Sequence, residues 1–289
     1  MTRAAELQRA GGAAFLRACR AAAWLEYRNL RYYPSNLLLA AIEELTTVVV
    51  WYFVASFLSG SANADVREYG GSYVAFVVLG VLLNQVALTA LNGPFTTISE
   101  AFWDKRLETY RLSIHGIWAN VVGRMLWQVA LSTVLQLAAL GVLITTGAVS
   151  VEVRPQLGLA ALVFLLLIVA NAGIGFVGAS LFFLLEVKSG QDPVTWAYRY
   201  LVMLATGLYV PLALVPDWLR AIGTVLPQTY AFSAARALVL TSAGWSDPNV
   251  GPKIIGLAVA AAITLGAGVV MVNVALRRAE RQSGIGVVV

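Results

Sequence analysis

From Leu157 to Leu185 the chain runs 29 residues without a charged side chain. As a helix rising 1.5 Å per residue that is about 44 Å, more than the roughly 30 Å hydrocarbon core of a bilayer. Five further apolar runs accompany it: Leu37–Leu58, Ser72–Leu91, Ile117–Thr146, Ala197–Val215 and Ile254–Leu276. Lipid offers backbone groups no partner, so each run must satisfy its own N–H and C=O groups, as a helix does. The pattern predicts an all-α polytopic membrane protein with six transmembrane helices in one domain over residues 1–289. Only 12% of residues are charged, against about 25% in soluble domains, so little chain is left for a second, water-soluble unit. One cysteine, Cys19, excludes an internal disulfide and a cysteine metal cluster. One histidine, His115, makes a histidine metal site unexpected.

Six spans place both ends on one side, and lysine and arginine choose which. Segments on the side of the termini hold 14 of these residues and the opposite loops hold 5 (Arg67, Arg154, Arg220, Arg236 and Lys253), with Arg124 inside the third span. The expectation is a multi-pass protein of the cell membrane with cytoplasmic termini, including a basic tail over 277–289. No secretory signal is expected, because the residues before Leu37 are arginine-rich and lack an apolar core. Within residues 1–36, a helix would gather Arg17, Arg20, Arg28 and Arg31 on one side and Phe15, Cys19, Ala23 and Leu30 on the other, with Glu26 interrupting the apolar stripe. That is the pattern of an interfacial helix with its arginines toward anionic headgroups. Pro34 would break it ahead of the first span.

Between the fifth and sixth runs lies VPDWLRAIGTVLPQTYAFSAARALVL, from Val215 to Leu240. Pro227 suits the first turn of a helix, and Pro216 with Asp217 mark an earlier start. From Gln228 to Leu240 a helix would reach only about 20 Å, too short to cross. Two short helices entering and leaving on the same side fit best, over 216–241.

Leu226-Pro227-Gln228-Thr229-Tyr230-Ala231, followed by Ala235-Arg236-Ala237-Leu238, resembles the "leucine-proline-x-threonine-tyrosine-alanine … arginine-alanine-leucine" signature of ABC-2 type transporter permeases. The resemblance implies an external re-entrant pair before the last span, with Asp217, Pro227, Tyr230 and Arg236 at an external gate. It also implies an N-terminal elbow helix over 1–36 and a cytoplasmic coupling helix over 99–115 that docks on an ATPase. Arg106-Leu107-Glu108 looks like the family's "threonine-leucine-glutamate" core with arginine for threonine. Asp104, Arg106, Leu107, Glu108 and Arg111 are then the expected coupling residues. Ser113-Ile114-His115 stands where many relatives have serine-proline. Partners implied are cytoplasmic ABC ATPase subunits, a second copy or similar permease, and membrane lipids, with no nucleic acid. No GxxxxGK[ST] occurs, so ATP and magnesium would belong to the partner, and this chain would hold no cofactor and no enzyme site of its own.

Glu43 and Glu44 lie about two turns inside the first span as drawn. Intramembrane acids usually face an interior or mark a pathway, unless the span begins later, near Leu45. Arg124 is the candidate partner. Arg236 would either snorkel to external water or pair with Asp217, the nearest acid, as a latch between the two short helices. Gly173, Gly175 and Gly178 match GxGxxG, but in a continuous apolar run they read as close helix packing and not as a dinucleotide fingerprint. The spans' aromatics, Trp51 and Tyr209 among them, read as interfacial belt, core, or lining of an exit path. These features point to the permease subunit of an exporter of hydrophobic or amphipathic molecules. The alternatives are a glycan exporter, which Arg31-Tyr32-Tyr33-Pro34-Ser35 faintly resembles, and, further off, a secondary carrier or channel. A membrane-embedded enzyme is disfavoured by the lack of paired mid-membrane acids.

Overall fold

The computed structural model describes residues 12–70, 72–106, 109–110, 116–149, 156–184, 192–241 and 243–282. Among these are nine α-helices: α1 (Gly12–Tyr32), α2 (Pro34–Ala62), α3 (Tyr73–Trp103), α4 (Gly116–Thr145), α5 (Leu157–Leu184), α6 (Pro193–Ala205), α7 (Asp217–Gly223), α8 (Pro227–Leu240) and α9 (Gly251–Gln282). Five of them, α2, α3, α4, α5 and α9, are long and apolar enough to cross a membrane. The chain is a multi-pass helical protein on that measure.

The helices are not equivalent. In the apolar window of α3, 67% of residues are buried, against 6% in α2. Helix α3 is the hub, packed by α2, α4, α5 and α8, while α2 lies at the edge with only Val48 and Ala55 buried. Helices α5 and α9 make the closest pair. Their approach is set by small residues. A Cβ on Gly173 would fall on the backbone of Thr264 and Leu265, and one on Gly268 would fall on the Gly173 carbonyl oxygen. A Cβ on Gly175 would fall on the Leu91 carbonyl of α3, and one on Gly178 would fall on the Asp192 carboxylate. The three glycines therefore serve three different close approaches.

The expected fifth span, 197–215, is not one helix. Helix α6 starts at Pro193, capped by Asp192, whose carboxylate accepts from the Val194 N–H at 2.9 Å. It stops after 13 residues at Ala205, about 20 Å and short of a bilayer core. Gly207 turns left-handed at φ +74 and Pro211 follows. The chain then continues irregularly to a single 3₁₀ turn, Leu212–Leu214.

Two other boundaries move. Asn92-Gly93-Pro94 does not end the second span, because α3 runs on to Trp103 with Pro94 inside it. Pro94 removes one donor to the Ala90 carbonyl. The site tolerates this because Gly93 and Pro94 are buried against α4 and α5, where backbone irregularity is protected. Nor is Ser99–His115 one helix. Residues 99–103 are the last turn of α3, and Lys105 then turns left-handed at φ 56. The Arg106 N–H closes on the Ala101 carbonyl at 2.9 Å, as a left-handed C-terminal cap does. Thr109 and Tyr110 are helical again, the Tyr110 N–H donating to the Arg106 carbonyl at 3.0 Å, while the rest of the expected coupling helix, including Leu107, Glu108 and Arg111, lies outside the described residues. Between the first two apolar runs, α2 continues past Leu58 to Ala62 and a 3₁₀ turn follows over Asn63–Tyr69.

Helix α1 ends at Tyr32, two residues before Pro34, and packs on α4. Its Arg17, Arg20, Arg28 and Arg31 are exposed and Cys19 is buried, with the Cys19 carbonyl set against Gly123.

Candidate functional site

The short-helix hairpin is where the irregular backbone of the chain gathers. Leu226 enters α8 extended and Pro227 takes the first helical position. Helix α8 then packs into the angle between α3, α5 and α9, burying ten of its 14 residues. Its first turn carries polar side chains into that core. The Gln228 amide donates to Asn171 Oδ1 of α5 at 2.5 Å and accepts from the Tyr198 hydroxyl of α6. The Thr229 hydroxyl donates to the Gly223 carbonyl at 2.5 Å, and the Tyr230 hydroxyl to Thr224 at 2.6 Å, which ties α8 back to α7. Buried polar groups cost stability unless partnered, and here each is partnered across a helix boundary.

Arg236 is the centre of this arrangement. It is 3% exposed. Its Nη1 donates to the Gly207 carbonyl at 2.7 Å, Nη2 to Leu208 at 2.7 Å, and Nε to Phe76 at 3.1 Å. The guanidinium carbon lies 3.4 Å above the Phe76 ring. Gly80 on α3 leaves the space, since a Cβ there would meet Nη2. A broken helix leaves carbonyls without donors and a negative dipole end. Arginine's planar fork supplies several donors and a positive charge at once. Arg220 serves the other end of the same irregular segment, donating to the carbonyls of Leu212 (3.1 Å), Ala213 (2.8 Å) and Val215 (3.0 Å). Two arginines thus hold residues 207–215 in place of helical hydrogen bonds.

The expected Arg236–Asp217 latch is not formed. Asp217 has a 95% exposed side chain, and its ion-pair partner is Arg220, at 3.3 Å. The two short helices lie consecutively in sequence, but the turn at 224–226 carries α8 inward while the start of α7 stays outside. Arg236 does not snorkel to water either. Its partners are backbone carbonyls, which no search for acids along the sequence would find. The usable signal was an apolar run interrupted by Gly207 and Pro211, next to an arginine in an apolar helix.

The intramembrane candidates also separate. Glu43 is exposed. Glu44 turns inward to α3 and α4, accepting from Gln85 Nε2 at 3.2 Å, from the Ser132 hydroxyl at 3.0 Å, and from Gln136 Nε2. Arg124 pairs with neither. Its Nη2 is 2.6 Å from Glu100 Oε2 and its Nε is 2.7 Å from Glu26 Oε1, the latter an ion-pair contact without hydrogen-bond alignment. The acid that interrupts the apolar stripe of α1 is therefore the one that anchors α1 to α4. Glu100 adds the end of α3 to the same charge. Arg124→Ala and Glu26→Ala are expected to destabilise non-additively. Their double-mutant cycle in thermal unfolding should show a coupling of about 0.5–3 kcal/mol, as for residues in contact, and an additive cycle would disprove the anchor.

Of the expected coupling residues, Asp104 and Arg106 face each other at 3.5 Å with both side chains more than half exposed. Such a pair contributes at most about 1 kcal/mol, so their charges remain open to a partner. Among the described residues no group of three or more His, Cys, Asp or Glu side chains could hold a metal ion. No protein-family model matches the chain, and no curated protein matches it significantly.

Proposed function

We propose that this chain is the membrane subunit of an ATP-driven exporter resembling the ABC-2 type. The observation that carries the reading is the hairpin α7–α8. It bears the leucine-proline-glutamine-threonine-tyrosine-alanine signature, stands directly before the last long helix, and is built of helices of 7 and 14 residues. Neither is long enough to cross a bilayer core of about 30 Å, and both are tied to the broken element that precedes them. In this reading α6 and its irregular continuation make the fifth of six crossings, so that the hairpin is external and both termini are cytoplasmic. The excess of lysine and arginine on the terminal side supports that orientation. The turn after Trp103, with Asp104 and Arg106 exposed, faces the cytoplasm and begins the segment that meets the ATPase. The transported molecule is hydrophobic or amphipathic, and a second copy or a similar permease completes the pathway.

A secondary carrier is favoured by one observation, the inward-turned Glu44. Purification of the chain from its native membrane decides between the two. An ABC ATPase is expected to accompany it, and Glu108→Arg is expected to weaken that association at least about tenfold, or 1.4 kcal/mol, without preventing insertion. The chain alone is expected to hydrolyse no ATP. Retrieval without any ATPase, or hydrolysis by the pure chain, would overturn the exporter reading.

A further inference from the structure

Glu44 sits at a depth where a carboxylate is costly. Its partners mark that depth: Gln85 is the thirteenth residue of the 31 in α3, and Ser132 the seventeenth of the 30 in α4. The cluster therefore lies near the middle of two span-length helices. All three donors are neutral, and among the described residues no lysine or arginine forms an ion pair with Glu44. Charge in such a place marks a function more often than a packing need.

A second observation points to a ligand. Gln136 is 4% exposed, and while its Nε2 donates to Glu44, its Oε1 is buried without any partner. An amide can be turned over about its last torsion. A cation against the carboxylate would let Oε1 turn toward it, so that both the buried oxygen and the uncompensated charge are satisfied together. The approach is lateral. Helix α2 is the least buried of the long helices: Leu45, next to Glu44, is exposed, and so are Val49 and Phe53 on its outer face. Along the inner face, two turns beyond Glu44, Trp51 stacks on Tyr209 at 3.7 Å. An apolar body anchored at Glu44 would lie along these side chains.

We propose that Glu44 receives the cationic head of an amphipathic organic amine, its apolar body lying along α2 toward Trp51 and Tyr209. That this amine is the transported molecule rests on the exporter reading, whereas the binding itself does not. Carboxylate, Gln136 Oε1 and the Ser132 hydroxyl together accept N–H donors and disfavour anions. The same oxygens could serve an inorganic monovalent cation, and the test separates the two.

The full chain in phosphatidylcholine nanodiscs is titrated with rhodamine 6G, a cationic amphipath, and with Nile red, a neutral one, using fluorescence polarisation above empty nanodiscs. Saturable rhodamine binding is expected. Glu44→Gln, which keeps the size and a hydrogen-bonding carbonyl, should weaken it at least about tenfold. Glu44→Asp should restore most of it, and Nile red should be unaffected. Gln136→Leu, with the carboxylate intact, should also weaken rhodamine binding, which keeps the test open if Glu44→Gln does not fold. Unchanged rhodamine affinity in the variants that fold, or an equal loss of both dyes, would overturn the proposal. Competitive displacement by sodium chloride but not by choline chloride would assign the site to an inorganic cation and overturn the organic amine. The measurement needs no ATPase, so its failure leaves the exporter reading standing, and a chain that purifies alone still reports on Glu44.

Discussion

Arg236→Ala is expected to destabilise the folded protein by roughly 2–6 kcal/mol as two buried carbonyls lose their donor, a large part of the about 5–15 kcal/mol by which domains are stable. The substitution leaves the carbonyls of Gly207 and Leu208 without this donor in a site from which water is excluded, and removes the second donor to the in-helix carbonyl of Phe76. A buried acceptor left unsatisfied costs about 1–3 kcal/mol. The lost guanidinium also opens a cavity over the Phe76 ring and against Gly80. Arg236→Lys should recover part of the loss, because an ammonium keeps the charge but cannot reach three carbonyls as a fork does. Asp217→Ala should leave the melting temperature unchanged, since that side chain is 95% exposed and paired only with Arg220. Thermal unfolding in detergent checks all three. An Arg236→Ala variant melting with the Asp217→Ala variant would mean that the irregular segment is held by something else.

Gly173→Leu is expected to have an effect of similar size by the opposite route, adding atoms where there is no room. A Cβ at Gly173 would lie 2.5 Å from the Thr264 carbonyl carbon and 2.8 Å from the Leu265 Cα. These are backbone atoms on a facing helix, so relief requires α5 and α9 to separate. Overpacking typically costs about 1–3 kcal/mol, and more where backbone must shift. The remaining methyl groups of leucine would push the helices further, so loss of the folded, monodisperse species is the expected readout in size-exclusion chromatography. Gly173→Ala should be intermediate. Gly266→Ala on α9 is the control. Nothing lies within 4 Å of a Cβ there, and alanine in a helix is worth about 0.5–1 kcal/mol over glycine, so that variant should be slightly more stable. Equal melting of Gly173→Ala and Gly266→Ala would rule out the close backbone approach.

The long apolar helices were legible because the cause is local. An uncharged run such as Leu157–Leu185 can satisfy its backbone only as a helix, and α5 spans Leu157–Leu184. The two short helices were legible for the same kind of reason. Pro227 and Pro216 set their starts, and the lengths between punctuating residues are too small for a crossing. The role of Gly173, Gly175 and Gly178 as contact points was readable in kind, though not which helix each would meet.

Partnerships were decided only by the tertiary structure. Charge in the sequence suggested Arg236 with Asp217 and Arg124 with Glu43 or Glu44. Arg236 instead binds carbonyls freed by the break after Ala205, and Arg124 binds Glu26 and Glu100. Backbone carbonyls are the same at every position of a sequence, so those exposed by a broken helix acquire an address only when the fold is made. Glu44 meets Gln85, Ser132 and Gln136, neutral groups 41, 88 and 92 residues away. Sequence fixes which side chains must leave water. Which of them meet depends on the depth and rotation of each helix, and these are set by packing around Gly80, Gly123 and Gly173, across distances no local pattern records.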